Sequence, residues 1–209
     1  TRENSSGTIS MYVNGSLVAQ NTNATPGTPI SNSNSLLLGT HNTNVDWLYG
    51  YADELAIWNE DLTASEVTAL YNSGNGLDAS SNSGNYASAS NLQGYWNFNE
   101  GSGTTASDAT SNSNDGTIYG ATWSTNVPTP PDPPTGNHSL SFDGTDDYVD
   151  LASKPITGTQ NQFSILAYFK TNSLSINQGI YFHGGGYKDV GLRIDEDGGE
   201  YKLHFFILT

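Results

Sequence analysis

Residues 51–74 read YADELAIWNEDLTASEVTALYNSG, and this stretch decides the fold. Tyr49–Trp58 has Leu55 and Ile57 on one face, which predicts a strand. A short helix is predicted directly after it. Thr63-x-x-Glu66 is a capping box: the Thr hydroxyl takes one orphan amide of the first turn and the Glu reaches back to another. Leu62 and Val67 hold staple positions. Val67, Leu70 and Tyr71 form a short apolar stripe, and Gly74 is a plausible stop. Two helical turns are not stable alone, so packing must hold them.

Towards the N-terminus, Ile9, Met11 and Val13 alternate with Ser10 and Tyr12, and Asn14-Gly15 follows. That dipeptide suits a two-residue hairpin turn, because both central residues need positive φ. Ser16–Ala19 then returns, and Ser35–Gly39 is a further short strand. Towards the C-terminus, Asp78–Ser90 has almost no apolar content and reads as a linker. Gly94–Phe98, Thr117–Trp123, Ser139–Phe142 and Tyr148–Leu151 are predicted strands. Val127–Gly136 is proline-rich and reads as a surface loop. Phe163–Phe169 is apolar on both faces, which predicts a central strand. Gly179–Phe182, Val190–Ile194 and Tyr201–Leu208 complete an all-β pattern of short strands and frequent turns, a sandwich or jelly roll.

Composition excludes several functions. The 209 residues carry 21 acidic against 6 basic side chains, a net charge of −15. Nucleic-acid binding needs clustered Lys and Arg, so it is excluded as a partner class. No apolar run approaches the ~20 residues of a membrane-spanning helix, so membrane insertion is not expected. There is no cysteine, hence no disulfide and no thiolate metal site. Four Trp, twelve Tyr and seven Phe are too many for a disordered chain. Thr1 is not an initiator residue, so a processed or cropped chain is expected.

Two stretches carry a family signature. The segment 51–74 resembles the closing strand and terminal helix of a laminin G-like domain, the concanavalin A-type lectin/glucanase jelly roll. LQGYWNFNEGSGTTASDATSNSNDGTIYGATW (92–123), followed by SLSFDGTDDYVDL (139–151), resembles the opening of the same kind of domain. TISMYVNGSLVA (8–19) resembles the hairpin before the closing strands. The resemblance implies an all-β, concanavalin A-like jelly-roll sandwich with one short helix. The order is reversed, closing half first. The expected organisation is a closing half over 1–77, a Ser/Asn-rich linker over 78–91, and an opening half over 92–209, with each half completed by a neighbouring half-domain; the alternative is closure of the two halves on each other within one chain.

The resemblance also raises candidate sites. Glucanase relatives use Glu-x-Asp-x-x-Glu on one strand, where two carboxylates flank the scissile bond. The nearest match, Asp195-x-Asp197-x-x-Glu200, lacks the leading Glu and contains Gly198-Gly199, so it reads as a hairpin turn and no enzyme is expected. Calcium is the expected cofactor. It takes six to eight oxygen ligands, and Asp143, Asp146, Asp147 and Asp150 fall within eight residues. By correspondence with those relatives, the implied calcium positions are Asp53, Asn99, Glu100, Asp143 and Gly144, with Asp108 and Asp115 nearby. For glycan binding, which needs exposed aromatic faces, the candidates are Trp47, Tyr49, Tyr119, Trp123 and Tyr187.

The resulting expectation is an extracellular or cell-surface adhesive repeat or filament subunit. Its partners would be copies of itself or adjacent laminin G-like repeats. A calcium-dependent glycan-binding module that recognises surface glycans is the alternative.

Overall fold

The computed structural model describes residues 1–3, 5–22, 34–41, 45–127, 138–151, 162–184 and 190–207. The strands there are β1 (Ile9–Val13), β2 (Ser16–Asn21), β3 (Leu36–Leu38), β4 (Tyr49–Trp58), β5 (Leu92–Trp96), β6 (Thr105–Ala106) and β7 (Gly116–Tyr119). They continue as β8 (Thr122–Ser124), β9 (Ser139–Asp143), β10 (Tyr148–Leu151), β11 (Ser164–Thr171), β12 (Gln178–His183), β13 (Val190–Asp197) and β14 (Glu200–Ile207). One helix, α1, spans Ala64–Tyr71.

Two antiparallel sheets face each other. The larger has the order β14-β13-β12-β3-β10-β7-β6, and the smaller β11-β4-β9-β8. β4 is long enough to serve two partners on one edge: Tyr49–Ala52 pair with β9, and Leu55–Trp58 pair with β5. Its other edge pairs with β11. Between the sheets lie Leu36, Leu38, Leu55, Ile57, Trp96, Phe98, Phe142, Val149 and Ile180, all buried. Alternation along each strand supplies these residues to one face.

A second apolar cluster covers the outer face of the smaller sheet. It joins Ala56, Trp58 and Tyr95 to Leu62 and Leu70 beside α1 and to Ala79 and Tyr86. The capping box forms between Thr63 and Glu66. The helix ends at Asn72 in the left-handed region (φ 48°), two residues before the expected Gly74. The Asn14-Gly15 turn has φ 50° and 72°, as the dipeptide predicts. Gly15 rests on the helix: a Cβ there would lie 2.8 Å from Tyr71 Cδ1, and Thr68 Oγ1 donates to its carbonyl at 3.2 Å.

Strands of the two half-domains lie side by side within the chain, and three expectations are corrected below. β3 lies between β12 and β10, and β4 lies between β11 on one edge and β9 and β5 on the other. Residues 1–77 therefore contribute one strand to the interior of each of these sheets. Residues 78–91 are not a free linker but a packed cover. Tyr86 is buried, its hydroxyl takes the Trp58 indole N–H at 2.9 Å and donates to the Ala79 carbonyl at 2.7 Å. Ser88 Oγ donates to Glu66 at 2.5 Å. β11 is an edge strand, not a central one. It is apolar on both faces because Ile165, Ala167 and Phe169 face the inter-sheet core while Leu166 packs on the helix cluster. Finally, Thr117–Trp123 is two strands in different sheets, since Gly120 (φ 76°) turns the chain between β7 and β8.

Candidate functional site: an aromatic face beside an acidic turn

β10 carries Val149 and Leu151 into the core, so Tyr148 and Asp150 point to the outer face of the larger sheet. β7 buries Ile118 and leaves Thr117 and Tyr119 outward. The register sets Tyr148 opposite Tyr119 and Asp150 opposite Thr117 on one side and Leu37 on the other. The two tyrosine rings stack, with centroids 4.7 Å apart and planes 15° from parallel. Trp47, in the connection from β3 to β4, reaches over Tyr148 at 6.1 Å. Tyr119 is 45% exposed, so the stack presents a ring face to solvent. One Asp150 carboxylate oxygen is shielded and has no hydrogen-bond partner among the described residues. Burial, with Tyr119 and the Asp150 charge nearby, raises the Tyr148 phenol above its usual value, so it remains a neutral donor at physiological pH.

The turn between β9 and β10 adjoins this face. The carboxylates of Asp143, Asp146 and Asp147 come within 4.8 Å of one another. Asp147 Oδ2 accepts the Asp143 N–H at 2.8 Å, and Asp143 Oδ1 accepts from Thr145 N–H at 2.8 Å. Gly120 makes room for Asp147: a Cβ there would lie 2.0 Å from its Oδ1. Burial and the charges of Asp143 and Asp146 hold the Asp147 carboxyl above its ordinary value, despite the Asp143 amide. Two or three like charges this close repel, and an oxygen-seeking cation would relieve the repulsion. The donor set is all oxygen and fits a hard divalent ion.

The predicted metal positions divide. Asp143 and Gly144 lie in this turn, but neither Asp53 nor Glu100 joins its carboxylate group. Asp53 is 2% exposed, and its Oδ1 accepts the Glu54 N–H. Burial and the Glu54 charge push it up to about 9, so it is protonated at neutral pH. A neutral carboxyl is a poor calcium ligand. Glu100 Oε1 accepts the Ser107 N–H at 2.6 Å, which ties down the loop after β5. Its neighbour Asn99 is half-buried in the same loop. Asp108 takes amides from Tyr95, Thr110 and Asn114, and Asp115 accepts from the Asp108 N–H. These two acids organise their loop.

The aromatic candidates divide too. Trp47 and Tyr119 join the stack. Tyr49 is 41% exposed but lies round the corner, opposite Asp143 and against Gly144. Trp123 packs partly on the core and donates to the Gly103 carbonyl at 2.8 Å. Tyr187 lies outside the described residues. Tyr148 is the addition of the structure, and Asp150, read from the sequence among the calcium-candidate acids, stands outside the carboxylate group of the turn and joins this face instead. Alternation in YVDL could place them on one face, but the stack needs a cross-strand register that no local motif encodes.

The segment Asp195-x-Asp197-x-x-Glu200 forms the β13–β14 hairpin, with Gly198 and Gly199 at φ 67° and 90°. Arg193 pairs with Asp195 at 2.7 Å and Lys202 with Asp197 at 3.0 Å. Among the described residues no helix is long and apolar enough to cross a membrane.

Residues 1–68 match the family described as the concanavalin A-like lectin/glucanases superfamily. No curated protein and no solved structure matches the chain. The matched stretch holds β1 to β4 and the start of α1; of these, β3 and β4 sit among the strands of residues 92–207 in the two larger sheets, and β1 and β2 form a two-stranded sheet of their own. Residues 1–68 are thus similar to the concanavalin A-like lectin/glucanases superfamily, and the chain folds as a β-sandwich of the concanavalin A-like kind.

Proposed function

We propose that this chain is an extracellular, non-catalytic glycan-binding module. The carrying observation is the Trp47–Tyr148–Tyr119 stack on the outer face of the larger sheet, with the Asp150 carboxylate beside it. Sugar rings offer axial C–H faces that pack on aromatic faces, and their hydroxyls donate to a carboxylate. The superfamily match supports a carbohydrate-binding or adhesive module in general. Pairing of strands from the two halves within one chain favours the binding reading over a filament subunit.

The cation belongs to the same proposal. Calcium at Asp143, Asp146 and Asp147 would fix the turn that runs directly into Tyr148. Chelation is therefore expected to lower the melting temperature and calcium to restore it, by mass action on the folded state. Equal melting curves with and without chelator would remove calcium from the account.

The test of the binding itself is a glycan array probed with the wild-type chain, Tyr148→Ala and Asp150→Asn. The wild type is expected to retain at least one glycan class, and both variants to lose it about tenfold or more. An array without a hit, or a hit that neither substitution weakens, would sink the reading.

A further inference from the structure

Asp150 is a half-buried carboxylate on the outer face of the larger sheet, and no described residue gives it a counter-ion. One of its oxygens is shielded from solvent without a hydrogen-bond partner among those residues. The described lysines and arginines are engaged or placed elsewhere. Arg193 holds Asp195 and Lys202 holds Asp197 on the β13–β14 hairpin. Lys170 lies on β11 in the smaller sheet. Arg2 is buried where its backbone bridges Ile9 and Phe163. Partial burial of a charge is unfavourable until a cation or a set of donors offsets it.

This carboxylate stands at the foot of an aromatic wall. Tyr148 is two residues away on the same face of β10, about 6.6 Å along the strand, which is the scale of one hexose ring. Tyr148 stacks on Tyr119, and Trp47 reaches over it. Thr117 lies opposite Asp150, and Thr105 lies opposite Thr117 in the next strand, so two exposed threonines continue the row. Ring faces carry the negative part of the aromatic quadrupole and attract a cation as well as C–H groups. The charge around them has the same sign: Asp143, Asp146 and Asp147 occupy the turn before Tyr148, and the chain carries −15. Sulfate, uronate and sialyl groups are repelled by such a field. A hydroxyl can donate to Asp150, but an ammonium group donates and also gains Coulomb attraction to the carboxylate and the rings.

We propose that the ligand of this face is an amino-sugar glycan, one whose hexose units carry a free, protonated amine. The amine is the counter-ion of Asp150, the C–H face of the same ring packs on the Tyr148–Tyr119 stack, and hydroxyls of the neighbouring unit meet Thr117 and Thr105. An acetylated amine loses the charge and adds bulk, and a hydroxyl in its place keeps the shape and loses the charge. The proposal rests on the glycan-binding reading and narrows it to one chemical class.

The test titrates the intact chain with three hexamers that share one backbone: β-1,4-linked glucosamine, its fully N-acetylated form, and cellohexaose, in which a hydroxyl replaces the amine. Mildly acidic buffer keeps the amine protonated. The glucosamine hexamer is expected to bind at least tenfold more tightly than either of the others. Asp150→Asn is expected to level the three. Glu196→Gln removes an exposed acid elsewhere with the same change in charge, and it is expected to keep the preference. Wild-type binding of cellohexaose or the acetylated hexamer as tight as that of the amine form would overturn the amine class and leave the glycan-binding reading standing. A preference that survives Asp150→Asn, or that falls equally in Glu196→Gln, would overturn it too, by assigning the attraction to the net charge of the chain. Binding of none of the three, beside an array hit on a neutral or acidic glycan, removes the amine class alone. An array without any hit removes both.

Discussion

Asp53 and Glu54 are adjacent acids in the buried middle of β4, yet the sheet accommodates both. Glu54 takes φ 50°, and its carboxylate accepts the Tyr95 hydroxyl. The ladder to β11 shifts register at this point. The shift lets Ala52, Leu55 and Ile57 all reach the inter-sheet core despite their uneven spacing. Asp53 stays protonated up to about 9 because burial and the Glu54 charge disfavour its anion. An ordinary Asp in the unfolded chain titrates near pH ~3.9. Between these values the folded chain holds a proton that the unfolded chain has lost, so stability falls as pH rises. Asp53→Asn is expected to flatten this dependence, leaving stability near that of the wild type at pH 4 and above it at pH 8. Urea unfolding at the two pH values checks it. A variant destabilised at pH 8 only when calcium is present would instead make Asp53 a ligand.

The elements divide into those that local chemistry specifies and those that neighbours specify. The Asn14-Gly15 hairpin and the Thr63–Glu66 capping box were legible because each is closed by residues within four positions. The cover at 78–91 was not, because one buried side chain carries it. Tyr86 offers a single hydroxyl that both accepts from Trp58 and donates to Ala79, in a stretch otherwise of Ser, Asn, Gly and Ala. Tyr86→Phe keeps the ring but leaves the buried Trp58 indole N–H without its acceptor. It is expected to lower stability by about 1–3 kcal/mol, read from the urea midpoint at constant m-value. A change within error would return the segment to the role of a linker. The edge position of β11 was equally hidden, since a strand flanked by a sheet core and a helix reads the same as one flanked by two layers.

At the scale of the molecule, the halved motif order was legible and its consequence was not. Periodicity identifies which face of a strand is buried, but not which strand lies beside it. β3 and β4 enter the middle of both sheets, so the family's closing and opening halves interleave in one chain. Fragments 1–77 and 78–209 are accordingly expected to be unfolded or aggregated apart, since each exposes strand edges and a bare sheet face. Mixed, they are expected to recover the circular dichroism and cooperative melting of the intact chain. Fragment 78–209 folding cooperatively alone would contradict the interleaving. The candidate site follows from the same topology. Trp47 and Tyr119 were legible as aromatics near loops, but the register that stacks Tyr119 on Tyr148 beside Asp150 is a product of sheet order. The central claim, that this face binds glycan, is tested most directly by a hydrogen-exchange footprint of the intact chain with a saturating array ligand. Protection is expected at Trp47, Tyr119, Tyr148 and Asp150. Protection confined to Trp123 or to the β13–β14 hairpin, with these four unchanged, would contradict it.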